Sequence, residues 1–158
     1  EANGEIARDN PAMMFVTVFA GVLDVETGVL DYCCAGHEPP WRVSAGGQAE
    51  RLGGAGGPPL CLLDAFDYPT DSIRLDPGDL VVVVTDGVTE AANRAGELFG
   101  VPRTDAAVRS LAGETSASAA LDRLIAPAQS FADGAEPADD LTALVVAWLG
   151  RPSAAESA

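Results

Sequence analysis

The segment Leu80 to Ala91, LVVVVTDGVTEA, constrains the fold more than any other stretch, because four consecutive valines run straight into an acid and a glycine. β-Branched residues with no helical spacing predict a short strand buried on both faces. Asp86 then stands where a core strand ends. Taken alone, Asp-Gly is a turn signature, since Asp bonds its local backbone and Gly accepts positive φ. A rigid strand can equally deliver a carboxylate to one fixed place, as a metal site requires. A second acid elsewhere has to decide between these readings.

Composition limits what such a site could serve. The chain has 158 residues, 47% hydrophobic and 21% charged, which suits one domain with a real core. Nine Lys and Arg stand against 24 Asp and Glu, for a formal charge of −15. That balance disfavours nucleic acid, whose binding rests on basic residues neutralising phosphates. Cys33, Cys34 and Cys61 are odd in number and lack C-x-x-C spacing, so no zinc site or disulfide framework is indicated. They read as small buried hydrophobes in a reducing compartment. No long apolar run and no basic leader is present, which predicts a cytoplasmic protein without membrane contact. The first residue is Glu1 and not Met, which fits a processed or excised piece.

Along the chain, a helix tail ends at Asn10-Pro11, because Pro disfavours helix in the residue before it. A strand from Met13 to Leu23 and a second in VLDYCCAGHEPP are expected to form an antiparallel hairpin, and WRVSAGGQAERL another. The glycines of GGAGGPPLC lack the Lys-Ser/Thr of a phosphate loop and read as a flexible loop. YPTDSIRLDPGDLVVVVTDG reads as a third hairpin, turning at Asp76-Pro77-Gly78-Asp79. Helical spacing follows from Arg103 to Leu111 and from Ser116 to Phe131, where Leu121, Leu124 and Ile125 share a face. Pro127 is expected to kink or end the second helix. Leu141 to Leu149 is a last strand. The order predicts an α+β layered domain over residues 1–150, with mainly antiparallel sheet, and a flexible tail over 151–158.

Asp139 and Asp140 precede that last strand as Asp86 follows the valine strand. In antiparallel neighbours these two ends share an edge, so Asp86 and Asp139 could meet. Converging carboxylates repel unless a cation or proton intervenes, and hard oxygens favour Mg²⁺ or Mn²⁺. The other reading is an acidic loop that keeps a hydrophobic strand from aggregating.

Three stretches in order, AMMFVTVFAGVLDVETGVLDYCCAGHEPP, LDPGDLVVVVTDGVTEAANRAGELFG and ADDLTALVV, closely resemble the metal-dependent protein phosphatases. The likeness is to the bacterial branch typified by the sporulation stage II protein E and sigma-factor-B regulatory phosphatases, and it spans Glu5 to Trp148. It implies a layered α-β-β-α sandwich of two mainly antiparallel sheets flanked by helices. It also implies a two-metal centre of Mn²⁺ or Mg²⁺ that hydrolyses phosphoserine or phosphothreonine with an activated water. The substrate implied is a phosphorylated anti-anti-sigma factor or similar regulator, and an upstream sensor or receiver domain is implied in the parent chain. The T-D-G motif falls on Thr85, Asp86 and Gly87, and D-D-x-T on Asp139, Asp140 and Thr142. This makes Asp86 and Asp139 metal ligands, with Thr85, Gly87, Asp140 and Thr142 supporting them. His37, in AGHEPP, is a candidate to position phosphate or pass a proton; alternatively it holds its loop through backbone hydrogen bonds.

One departure matters. The family's earlier half, with its G-D-x-x-D strand and D-x-S-G-H-G loop, has no match, so an N-terminal part of the domain is missing. Two carboxylates hold hard cations weakly because each ion takes about six oxygens. The polypeptide alone is therefore expected to be weakly active or inactive, and to pair its open edges with another chain, a homodimer included. Two other readings stay open: a non-catalytic partner-binding module on a phosphatase scaffold, and an unrelated small-molecule-binding α+β domain.

Overall fold

The computed structural model describes residues 2–8, 10–63, 65–136 and 139–151. The elements are α1 (Ala2–Ala7), β1 (Val18–Asp24), β2 (Val29–Ala35), β3 (Trp41–Val43), β4 (Ala49–Arg51), β5 (Gly56–Gly57), β6 (Asp71–Arg74), β7 (Asp79–Val84), α2 (Asp86–Thr89), α3 (Gly100–Arg109), α4 (Ala117–Ala132) and β8 (Ala143–Trp148). One sheet is ordered β1-β2-β5, with β6 also on β2; the other is ordered β4-β3-β7-β8.

The valine strand explains the layering. Leu80, Val82 and Val84 pack with Val108, Leu111, Ala120 and Leu124 of the helical side. Val81 and Val83 face Leu30 and Tyr32 of the first sheet and Leu75 just after β6. Successive side chains of a strand point to opposite faces, so β7 is apolar from Leu80 to Val84 because both faces are covered. On the outer face of the first sheet, Val18, Ala20, Cys33 and Ala35 border a recess that α1 helps to close through Ala2 and Asn3. The expected α-β-β-α order is therefore present, with a thin outer layer beside the first sheet. The hairpins β1–β2 and β3–β4 form as predicted.

Four local expectations change. The third hairpin does not form: β6 pairs with β2, whereas β7 pairs with β3 and β8. The Asp76–Asp79 turn instead carries the chain from one sheet to the other. Its anchor is the buried carboxylate of Asp79, which accepts the Asp76 and Ala45 N–H groups at 2.9 and 3.1 Å. The first strand begins at Val18 and not Met13, because Met13 has φ 48° and Asn10 Oδ1 accepts the Met14 N–H at 2.8 Å. The α4 helix continues through Pro127 to Ala132, held by the buried face of Ala120, Leu124 and Ala128, with Pro127 itself exposed. Within the glycine loop, Gly56–Gly57 pair parallel to β2. A Cβ on Gly56 would lie 1.8 Å from the Cys34 carbonyl oxygen, so only glycine allows this approach.

The three cysteines are free and half-buried, not fully buried. Burial pushes the Cys33 and Cys34 thiols up, so at neutral pH both stay protonated and poorly nucleophilic. Of the tail assigned to 151–158, Arg151 pairs with Glu26 at 2.9 Å, and 152–158 lie outside the described residues. No helix among the described residues is long and apolar enough to cross a membrane.

Candidate metal centre

Antiparallel register places the exit of β7 beside the start of β8, with Val84 opposite Ala143. Thr85 fastens this mouth. Its N–H donates to the Thr142 carbonyl at 3.0 Å, and its hydroxyl is 3.3 Å from the Asp140 carbonyl, the Thr142 carbonyl and the Thr142 N–H. Asp86 is not left in a bare turn, because it opens the single helical turn α2. Its carbonyl accepts the Glu90 N–H at 2.7 Å and the Thr89 hydroxyl at 3.1 Å. The strand thus ends in a rigid corner with the Asp86 side chain exposed.

Gly87 is buried against the other side of the mouth, where a Cβ would stand 2.3 Å from the Asp140 carbonyl oxygen. Glycine is needed here for space and not for its φ. The Gly87→Ala variant is expected to lose about 1–3 kcal/mol by overpacking, and to push Asp140 away from α2. Thermal unfolding with and without Mn²⁺ checks this; an unchanged Tm would refute the close approach.

Asp139 Oδ1 accepts the Asp140 N–H at 2.7 Å, which orients this carboxylate and leaves Oδ2 unengaged by that bond. Among the described residues, Asp86, Asp139 and Asp140 form no ion pair. Exposed carboxylates without a basic partner suit a hard cation by donor chemistry. They are few, however, for no group of three His, Cys, Asp or Glu side chains able to hold a metal occurs among the described residues.

A cavity of about 350 Å³ adjoins the mouth and is lined in part by Gly87, Glu90, Asp139 and Asp140. His37 is not brought into it. That residue follows β2, with Nδ1 2.9 Å from the Glu38 carbonyl and its own carbonyl accepting the Cys34 thiol at 2.9 Å. It lines a separate recess along the Gly53–Gly57 loop. Sequence reasoning did not find Glu90 or the end of α4 at this site. The spacing of Glu90 four residues after Asp86, one helical turn, was the available signal for the first; no local signal marks the second.

A two-sheet α-β-β-α sandwich with acids at the mouth of its central strand places the chain in the metal-dependent phosphatase fold class. The family described as Stage II sporulation protein E (SpoIIE) matches residues 1–149, and the chain belongs to that family. It is similar to Protein IcfG of Synechocystis sp., at 34% identity over 91% of this chain and 22% of that protein. Phosphoserine phosphatase RsbU of Bacillus subtilis is 30% identical over 61% of this chain and 29% of its own length. The chain thus spans less than a third of either relative. Among solved structures, the RsbU and RsbW domains of Rv1364c from Mycobacterium tuberculosis superpose with a TM-score of 0.66, at 28% identity, over 90% of this chain and 39% of that one. The SiaA-PP2C domain of Pseudomonas aeruginosa gives 0.71 at 21% identity, over 91% and 57%.

Proposed function

We propose that this chain is the C-terminal part of a metal-dependent phosphatase domain acting on phosphoserine or phosphothreonine in a regulatory protein of the anti-anti-sigma kind, in the cytoplasm. One observation carries the reading: acids after β7 and ahead of β8, on strand ends that Thr85 ties together, and unpaired with any described base, in a chain of the SpoIIE family. Asp86 and Asp139 are the metal ligands. Thr85 and Thr142 hold the two strand ends in register, Gly87 admits the Asp140 backbone, and Asp140 fixes the Asp139 carboxylate through its N–H.

A pair of Mn²⁺ or Mg²⁺ ions bound there supplies the positive charge that acidifies water and offsets the phosphoryl oxygens. The remaining oxygen ligands come from water, substrate phosphate and other segments of the parent protein. The hydrogen bonds of His37 favour a loop-holding part over contact with phosphate. With thiols kept protonated by burial, a cysteinyl-phosphate route has no support from this chain.

The test is phosphate release from a phosphoserine protein by the full-length protein before and after chelation. Activity is expected to vanish with EDTA and return with Mn²⁺ or Mg²⁺. Full activity in the chelated protein would overturn the reading.

A further inference from the structure

The cavity beside the acids contains more than the metal chemistry uses. Its remaining walls include Ala91, Ala92, Ala132, Ala135 and Leu141. The wall returns on itself after α4, where Asp133 (φ 48°) and Gly134 (φ 71°) are left-handed and the Ala135 N–H donates to the Ala132 carbonyl at 2.9 Å. Four of these five side chains stop at Cβ, and among the described residues Gln129 and Glu90 are the long polar side chains of the lining. Protein interiors close such gaps, whereas apolar recesses of this size with a few polar groups at one wall are the usual form of a ligand pocket. Ala91, Ala92, Ala132 and Ala135 are half-buried, so the recess opens to the surface and is not a packing defect of the core.

The cavity is continuous with the metal edge, because Asp139 and Asp140 belong to both. In an extended peptide consecutive Cα atoms are about 3.8 Å apart and side chains alternate in direction. A phosphoserine held at the mouth therefore brings a neighbouring side chain to the recess.

We propose that this cavity receives an aliphatic side chain, one or two residues from the phosphoserine, of the phosphoprotein substrate. The proposal rests on the phosphatase reading above and adds a specificity determinant to it. Exposed Glu90 at the rim repels an acidic side chain at the same position, so acid-flanked phosphopeptides are poor substrates.

The experiment compares phosphoserine peptides carrying Leu or Ala at each flanking position, as kcat/KM with the full-length protein and Mn²⁺. The expected Leu-to-Ala ratio at one position is about tenfold or more, the range that methylenes give in an apolar pocket. Filling the recess by Ala132→Leu, or by Ala135→Leu where the first variant does not fold, is expected to bring this ratio toward one. A general loss of metal or stability lowers both peptides alike and leaves the ratio unchanged. A ratio near one in the unaltered protein, or a ratio untouched by the variants, overturns the pocket while the phosphatase reading stands. Absence of metal-dependent hydrolysis of every peptide overturns both.

Discussion

Replacing Asp86 or Asp139 by asparagine in the full-length protein is expected to lower kcat/KM for a phosphoserine substrate on the order of a hundredfold or more. Loss of groups that merely support metal ligands already costs about 10–100-fold, and a direct ligand sets both cation charge and position. The substitution keeps side-chain shape and removes one negative charge from a mouth that has no described basic partner. Folding is therefore left intact, and the apparent Mn²⁺ affinity falls together with the rate. Asp140→Asn keeps the backbone N–H that Asp139 Oδ1 accepts, so its effect is smaller. Steady-state kinetics over a Mn²⁺ titration give the decisive comparison. Either ligand variant retaining full activity at limiting Mn²⁺ would remove that residue from the site.

The largest effect on stability is expected at Asp79. Its side chain is only 1% exposed and lies 2.6 Å from an Arg42 guanidinium nitrogen, with Arg42 Nε donating to it at 2.8 Å. Two backbone N–H groups, of Ala45 and Asp76, also donate to it. Asp79→Ala leaves two amides without their acceptor and takes from Arg42 its buried partner, leaving it the exposed Asp76 and Glu50 at 3.2 and 3.4 Å; breaking such a pair costs up to about 3–5 kcal/mol. The pair itself need not add that much to stability; the cost arises from what stays behind. Urea unfolding measures it, and a loss below about 1 kcal/mol would show that water replaces the carboxylate at this site. Asp79→Asn retains an acceptor and is expected to fall between the two.

The same residue shows why one prediction from the sequence failed. Asp76-Pro77-Gly78-Asp79 has the chemistry of a tight turn, and the turn forms, with the Asp79 N–H 2.9 Å from the Asp76 carbonyl. Turn chemistry reverses a chain, but it does not choose the partner of the strand that leaves. In the second sheet the start of β7 is paired with β3, where Arg42 meets Asp79. Pro127 does not end α4 for a related reason, since the packing of Leu124 and Ala128 holds the helix past one missing amide hydrogen bond. The double-sided burial of the valine strand and the pairing of its exit with the start of β8 followed from local pattern and strand direction, and both were legible. The cavity was not, for it joins residues 87–92 to the end of α4 and the loop before β8.

What the sequence alone determined is therefore whatever one short segment decides: the strand that must be covered on both faces, the acids at its mouth, the helix faces, and the three motifs that place the chain in its family. Burial of β-branched side chains and fixed motif spacing act within a few residues, so they can be read in order. What only the tertiary structure decided is which strands share a sheet, that His37 lies apart from the acids, and that small side chains beside the mouth leave a recess open. Those features depend on distant backbones competing for the same space and the same buried partners, and that competition is settled when the whole domain packs.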